Sequence, residues 1–192
     1  MATAAQNRVT FGLSEGHYAL ATPQADGSYT FGTVKSLPNL QSMEASVLGG
    51  KTDVYADNVI VATMTSYPGQ ELTVNVSELS DDFKKDVLGY LEDSDGNLCE
   101  VANAQIKTFA FGCQIEGDVK ARKVWYFLCS ATNPGEGSSS KNDSPEANQL
   151  TLTFTVRPLT VGDHQVIKRV CESDKTNYAT FFNTVALPTF GA

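Results

Sequence analysis

The sequence predicts a mainly β protein: a β-sandwich or small barrel with one short flanking α-helix, at about residues 80–88, and an extended loop or β-hairpin arm. Residues 71–76 and 149–158 alternate apolar and polar side chains, which is the period of half-buried strands. Only one segment combines apolar helical spacing with start and stop signals. The 192 residues, 41% hydrophobic and 19% charged, suffice for one domain with its own core.

The N-terminal third contains three predicted strands. Tyr18–Ala21 is the first, and an Asp26-Gly27 turn joins it to a second at residues 29–35, because glycine accepts the positive φ of a tight hairpin turn. A weaker alternation predicts a third strand near Ser42–Val47.

Residues 49–69 are predicted to form a β-hairpin arm of moderate length. Two apolar patches, at residues 54–55 and 59–61, flank the polar pair Asp57-Asn58. Gly49-Gly50 and Pro68-Gly69 bound the segment as hinge-like breaks. A hairpin folded against its own domain is the alternative interpretation, and the pattern alone leaves both open.

The helix is predicted from Ser80 to Leu88, after the alternating strand. The Ser80 hydroxyl is expected to cap the first free amide groups, and two aspartates follow at the positive end of the helix dipole. Gly89 supplies the left-handed residue that stops the helix. At about two and a half turns the helix is too short to be stable alone, so its apolar face must dock on the sheet; that face comprises Phe83, Val87 and Leu88.

Residues 106–115 and 119–129 are predicted to form a central hairpin. The run Val124–Leu128 is continuously apolar, as strands buried on both faces are. Two interpretations of its aromatic side chains, which include the only tryptophan, stay open: core packing, or stacking on a sugar or nucleobase. The preceding basic residues, Lys120, Arg122 and Lys123, are expected on an exposed strand face or an interface.

The C-terminal third begins with a predicted flexible loop at residues 130–149, which are rich in Ser, Gly, Asn and Pro. The strongest strand signal of the chain follows at Gln149–Pro158. Residues 164–171 fit either a strand or a helical turn, and residues 180–185 a short terminal segment.

Composition disfavours several classes of function. A formal net charge of −8 disfavours sequence-specific DNA binding, which requires clustered Lys and Arg. No apolar run long enough for a membrane span is present, and the N-terminus lacks an apolar signal core, which favours a cytosolic origin. The four cysteines lack zinc-site spacing and are expected to be buried or reduced thiols: Cys99, Cys113, Cys129 and Cys171.

No arrangement of residues predicts catalysis, a cofactor or a metal. His17 and His164 lie in no triad or metal motif and are interpreted as ordinary surface or core residues. Residues 92–97 carry the carboxylates and glycine of a calcium loop, but the spacing is short and no glutamate stands at the twelfth position. A turn after the helix is therefore predicted there, and a protein without enzymatic activity is expected.

Four sets of residues resemble those of the major tail proteins, or tail tube proteins, of long-tailed bacteriophages and related prophages. They follow one another in the family's order over roughly residues 54–185: VYADN at 54–58; ELTV, Leu79 and VLG within 71–89; FAFG, Gly117 and VWYF within 109–127; and SPE, a Thr-rich strand and FFNTV within 144–185. The chain departs from the family after the Trp-Tyr run, where LCSA replaces a Lys-Gly and a nearby proline. Its N-terminal third is not closely matched.

The resemblance implies a structural virion protein whose single domain, residues 1–192, joins identical copies into six-membered rings. The rings would stack into a hollow tail tube, assembled in the bacterial host cytoplasm, through which genome DNA passes without specific binding. Tape measure and tube-end proteins would be further partners, and no membrane is involved. The segment 49–69 would then be an assembly arm reaching an adjacent subunit, with these candidate contact residues: Thr52, Asp53, Val54, Tyr55, Ala56, Asp57, Asn58, Val59, Ile60 and Val61.

The acidic balance is compatible with that role. A sixfold ring at −8 per copy would carry 6 × −8 = −48 formal charges, and a negative lumen would repel phosphates. The alternative function is a capsid-decoration protein or a receptor- or carbohydrate-binding β-domain. The tube of a contractile injection machine is a related variant.

Overall fold

The structure, a computed structural model, describes residues 6–135 and 149–191. The protein is mainly β, with one short helical segment and several antiparallel sheets, as the sequence predicted. In chain order the strands are β1 (Thr10–Pro23), β2 (Tyr29–Phe31), β3 (Lys35–Ser36), β4 (Leu40–Leu48), β5 (Lys51–Ala56), β6 (Val59–Thr65), β7 (Gly69–Val76), β8 (Leu91–Glu92), β9 (Leu98–Cys99), β10 (Phe109–Gly117), β11 (Arg122–Ala131), β12 (Leu150–Arg157), β13 (Leu159–Val161), β14 (His164–Val166) and β15 (Lys168–Glu172).

Nine of these strands form one antiparallel sheet. Seven follow the order β2-β1-β10-β11-β12-β7-β4, while β3 pairs with β1 and β15 pairs with β11. Strand β11 changes partner along its length: Arg122–Tyr126 pair with β15, whereas Leu128–Ala131 pair with β12. Strands that pair with two different partners along their length are found at the corners of sandwiches and barrels.

The sheet curls so that β1 and β4 approach each other at Gly16. The Leu37 N–H donates to the Gly16 carbonyl (2.8 Å) just after β3. A Cβ at Gly16 would overlap the side chain of Leu40, the first residue of β4. Glycine thus permits the close approach that gives the sheet its barrel-like curvature.

The interior of the curled sheet is an aromatic and aliphatic core. Phe109 packs edge-on against Phe83 and Phe154, with ring centroids 5.4 and 5.1 Å apart, which is a geometry that aromatic pairs prefer. Leu150, which the alternation also places on the inward face, is only half-buried. The other inward side chains predicted from the alternation of β7 and β12 are buried: Leu72, Val74, Val76, Leu152, Phe154 and Val156.

A second core covers the outer face of β10 and β11. The C-terminal segment, residues 173–191, contains no strand, yet it brings Phe181 and Phe182 onto this face. Trp125 donates its indole N–H to the Phe181 carbonyl (3.0 Å) and packs edge-on against Phe182. The run Val124–Leu128 is therefore buried on both faces, and its aromatic side chains form core instead of an exposed stacking surface.

The predicted helical segment is present but differs in type. Helix α1 (Asp81–Phe83) continues into a π-helical turn (Lys84–Leu88), and Gly89 ends it with a φ of 79°. The predicted side-chain cap is wrong: the Ser80 hydroxyl is buried and has no hydrogen-bond partner among the described residues, while its carbonyl accepts the Lys84 N–H (3.2 Å). The apolar face docks into the interior core as predicted, through Phe83, Val87 and Leu88.

Asp86 ties the helical segment to the sheet. Its carboxylate accepts hydrogen bonds from the Tyr18 hydroxyl (2.9 Å) on β1 and the Lys35 ammonium (2.6 Å) on β3. Burial disfavours the charged carboxylate, but these two hydrogen bonds hold the pKa of Asp86 below its ordinary value. Burial, reinforced by the same carboxylate, raises the pKa of Tyr18.

The N-terminal strand and the C-terminal strands depart from the predicted bounds. Strand β1 is much longer than the predicted Tyr18–Ala21. The prediction was too short because two bulges, at residues 11–13 and 14–17, interrupt the alternation of the strand. The single strand predicted at 29–35 is two short strands, and residues 164–171 form β14 and β15. Since β11 continues to Ala131, the predicted loop begins after it, and residues 136–148 of that loop lie outside the described residues.

Lys123 was predicted on an exposed strand face or an interface, but the structure buries it. Its ammonium pairs with Glu15 (2.9 Å) and lies over the rings of Tyr178 and Phe182, 4.9 and 4.8 Å from their centroids. Lys120 forms ion pairs with two acidic residues of the C-terminal region, Glu172 and Asp174. Both lysines therefore fasten the C-terminal region to β11 instead of presenting a basic surface.

Candidate assembly surface

The β5–β6 hairpin extends one edge of the main sheet. Strands β4 and β7 pair up to Leu48 and Gly69, and pairing resumes at Lys51 and Thr65. Between these pairs the Ser66 N–H donates to the Gly50 carbonyl (2.9 Å). The two ladders thus form one long ribbon, and the hairpin, here called the arm (residues 51–65), projects from the edge of the barrel.

The root of the arm is a tightly packed joint. Gly49 has a φ of 131°, and a Cβ there would overlap the Ser66 carbonyl oxygen. Gly69 has a φ of 155°, and a Cβ there would overlap the Val156 carbonyl oxygen. The predicted hinge-like breaks are thus positions where backbones meet closely, so glycine here fixes the direction of the arm.

The tip of the arm is a two-residue turn. Asp57 and Asn58 have φ values of 49° and 62°, and the flanking residues Ala56 and Val59 pair with each other. Two successive positive φ values define the type I′ turn, whose twist matches that of the flanking strands. Asp and Asn tolerate this conformation better than other non-glycine residues.

Nearly every side chain of the arm is exposed. Tyr55, Val59 and Met64 keep 65%, 64% and 66% of their surface accessible, and only Asp53 is half-buried. The arm does not fold against its own domain, which was the alternative interpretation of this segment. Its exposed large apolar side chains are Val54, Tyr55, Val59, Ile60, Val61 and Met64.

The pairing gives the arm two chemically different faces. Residues opposite each other share a face, so one face carries the pairs Thr52–Met64, Val54–Ala62 and Ala56–Val59. The other face is polar at its root, where the Asp53 carboxylate accepts a hydrogen bond from Thr63 (2.6 Å) and pairs with Lys51 (3.2 Å). Tyr55 and Ile60 make this second face apolar at the tip, and Val61 is the extra residue of a bulge.

All ten candidate contact residues lie on the arm. Thr52 to Ala56 are on β5, Asp57 and Asn58 form the turn, and Val59 to Val61 begin β6. These candidates stop at Val61 and leave out the remainder of β6, which includes Met64, although it lies within the predicted arm 49–69. The signal was available: with Asp57-Asn58 as the turn, simple pairing places residues 61–64 opposite residues 51–54, and the bulge at Val61 shifts the observed partners by one, to residues 62–65.

An open backbone edge runs beside the arm. Strand β4 pairs only with β7, and β5 pairs only with β6, among the strands of the described chain. Beyond its Leu40 end, which approaches β1, the other edge of β4 therefore presents backbone donors and acceptors that another strand can pair with. Val47, on this edge strand, is itself exposed.

The other candidate positions have structural roles. The Asp93 carboxylate accepts the backbone N–H groups of Asp95 and Asn97 (2.9 and 2.8 Å), so this acidic segment is a turn between β8 and β9, as predicted. His17 and His164 each lie 4.5 Å from a phenylalanine ring. Within residues 6–135 and 149–191, no group of three or more His, Cys, Asp or Glu side chains is placed to hold a metal.

The cysteines form no disulfide. Cys113, Cys129 and Cys171 are buried and Cys99 is exposed. Burial raises the pKa of the Cys113 thiol to about 12, so this thiol stays protonated near neutral pH. None of the helices in the described chain has the length and apolar character needed to span a bilayer.

Comparison with models of known protein families finds no match to this sequence, and comparison with curated proteins finds no significant similarity. The molecule's most distinctive feature is a curled β-sheet from whose edge an apolar hairpin projects into water.

Proposed function

We propose that this protein is a structural subunit that assembles with copies of itself, as a tail tube protein of the long-tailed phage type. The observation that carries the proposal is the arm, whose six large apolar side chains are exposed in the isolated chain. Contiguous apolar surface of this kind marks interaction sites in soluble proteins.

The energetics favour an assembled state. Full burial of one such side chain contributes about 1.5–3 kcal/mol. Burial of the six would therefore offset much of the roughly 4–15 kcal/mol that association costs in lost freedom. Because the arm is already folded and its root is fixed by close backbone contacts, little further ordering is required when a partner covers it.

Strand addition supplies a second kind of contact. The open edge of β4 and β5 can accept a strand from a neighbour, with main-chain hydrogen bonds providing affinity. When the two surfaces that meet in a contact are different, copies join head to tail and form closed rings or continuous filaments. A tube of stacked rings has both features: each ring is closed, and the stack of rings is continuous.

The resemblance to tail tube proteins gives the assembly its biological form in this proposal. Six copies make a ring, stacked rings make the hollow tube of the virion, and the tape measure and tube-end proteins bind its length and ends. Assembly takes place in the bacterial host cytoplasm. The net charge of −8 per copy favours a lumen along which DNA slides without specific binding.

Concentration of the purified protein tests the proposal. Negative-stain microscopy and sedimentation should show rings or tubes that increase with protein concentration. A protein that stays monomeric at every concentration and salt would contradict self-assembly and would favour the decoration or binding-domain alternative.

An arm variant provides the matched control. Because Gly50 and Ser66 are already hydrogen bonded, residues 51–65 can be replaced by Asn-Gly, which closes a two-residue turn. We expect a folded monomer whose circular dichroism spectrum differs from that of the full chain only by the contribution of the lost strands. A gentler variant, Val54→Thr with Val59→Thr and Val61→Thr, keeps strand propensity while removing apolar surface, and should assemble at least tenfold less readily (on the order of 1.4 kcal/mol).

A further inference from the structure

We propose that the tip of the arm of one copy docks into an aromatic groove beside the root of the arm of a second copy. This inference rests on the proposed function and names the surface that receives the arm. The aromatic groove is lined by Tyr67, Pro158, His164, Ile167, Lys168 and Phe190.

The groove is open, and its lining combines aromatic and polar groups. It has a volume of about 480 Å³. Tyr67, in the link from β6 to β7, and Phe190, in the C-terminal segment, are each about half exposed, and the His164 ring packs edge-on against Phe190 (4.5 Å). Aromatic walls that are partly exposed in the isolated chain are typical of surfaces that receive an apolar side chain from a partner.

The tip of the arm complements this groove in shape and polarity. Tyr55 and Ile60 lie opposite each other at the tip, next to the Ala56–Val59 pair, and all four are exposed. A narrow apolar ridge of this kind fits a groove with aromatic walls better than it fits a flat surface.

Charge also matches. The tip carries the Asp57 carboxylate, and the groove carries the Lys168 ammonium, which lies 5.7 Å from the centroid of the Tyr126 ring. Neither Asp57 nor Lys168 forms an ion pair within residues 6–135 and 149–191. Two further charged residues line adjoining pockets: Asp163 in one that shares His164 and Phe190, and Arg157 in one that shares Pro158 and Gln165.

The arm's length makes a second copy the occupant. Six residue pairs at about 3.3 Å each carry the tip roughly 20 Å from the root. Since the groove lies at the root and the arm is a paired ribbon on a fixed joint, a copy's own tip does not reach its own groove. Each copy therefore offers one tip and one groove at a fixed spacing, which is a head-to-tail contact that propagates.

Cross-linking between two singly labelled proteins tests the contact directly. In a Cys99→Ser background, one protein carries Ala56→Cys at the tip and the other carries Gln165→Cys at the groove, where Gln165 is an exposed lining residue. Mixing them under a mild copper-phenanthroline oxidant should give a disulfide-linked heterodimer as the main product. A control pair with Ser94→Cys in place of Gln165→Cys, in the exposed turn between β8 and β9, should give little product. Equal cross-linking of both pairs would overturn the proposal.

A double-mutant cycle tests the ion pair within this contact. Asp57→Asn and Lys168→Gln should each raise the critical concentration for assembly about three- to tenfold, and the double variant should be no worse than either alone. Lys175→Gln, an exposed lysine outside the groove, should leave it unchanged.

The outcomes separate this inference from the proposed function. If the full chain assembles and the arm variants abolish assembly, but the groove variants have no effect, the docking site is wrong and self-assembly stands. If the full chain never assembles, both are wrong.

Discussion

The barrel interior and the arm are built from the same kinds of residue and differ in what covers them. Val74 and Val76 on β7 are fully buried, whereas Val59 and Val61 on the preceding strand, β6, lie in water. Both pairs belong to one ribbon with a nearly continuous register. The difference teaches that strand pairing alone does not bury a side chain; a second layer is required, and the arm lacks one within its own chain.

The comparison predicts that truncating an aromatic residue has opposite consequences in the two regions, and this is the largest effect expected. Phe154→Ala removes the ring that contacts Phe109 and Phe111 in the interior core, and should lower the free energy of unfolding by about 3–5 kcal/mol. Tyr55→Ala on the arm should change it by less than about 0.5 kcal/mol.

Denaturant titration of the monomer, at a concentration below assembly, measures both values. Assembly should show the reverse order, with Tyr55→Ala the more damaging variant at matched folded concentration. Comparable loss of stability in both variants would mean that the arm is packed in solution, and the contrast between the two regions would fail.

Substitutions at Gly49 and Gly50 test the joint between the barrel and the arm. Gly49→Ala forces a Cβ against the Ser66 carbonyl at a positive φ, so we expect a loss of about 1–3 kcal/mol and a misdirected arm that assembles poorly. Gly50→Ala is the matched control, because a Cβ at Gly50 meets open space.

Unfolding curves and sedimentation of the two variants give the answer. If Gly50→Ala proves as harmful as Gly49→Ala, general flexibility of the Gly49-Gly50 pair matters more than the close contact at Gly49.

The smallest expected effect concerns Asp86, which ties the helical segment to the sheet of the barrel, and it depends on pH. The pKa of Asp86 is held below its ordinary value of 3.8, so its contribution is present above that pH and is lost as pH falls through the folded-state pKa. Asp86→Asn should cost about 1–2 kcal/mol at pH 7 and progressively less as the pH falls below about 3.8.

Thermal melts at pH 7 and in the acid range would show this convergence of the two proteins. Asp86→Asn should reduce assembly only to the extent that it lowers the concentration of folded protein, because Asp86 is not part of the arm. A constant difference between wild type and variant at every pH would show that the carboxylate's charge is not what stabilises the contact with Tyr18 and Lys35.

The sequence predicted those parts of the fold in which a single physical signal dominates. The alternation of residues 71–76 and 150–157 identified β7 and β12 and their buried faces, and Gly89 located the end of the helical segment. The length of β1 was missed because its bulges disrupt the two-residue period. The π-helical turn was missed because helical spacing over nine residues does not distinguish the two helix types.

The candidate site was predictable in position but not in its surroundings. The turn at Asp57-Asn58 and its flanking apolar patches are readable from sequence, yet the same pattern is typical of a buried hairpin. The aromatic groove joins Tyr67 to Phe190, residues far apart in the chain, so local pattern carries no signal for it. Lys123 was misplaced for the same reason, since its partners Glu15 and Tyr178 come from opposite ends of the sequence.

The indole of Trp125, hydrogen bonded beneath the C-terminal segment, gives this protein a built-in optical probe. Since it is the single tryptophan and is fully buried in the second core, its emission follows loss of the native fold. Ring or tube formation increases light scattering whether or not that emission changes. Fluorescence and light scattering recorded on one sample therefore separate unfolding from polymerisation without any added label.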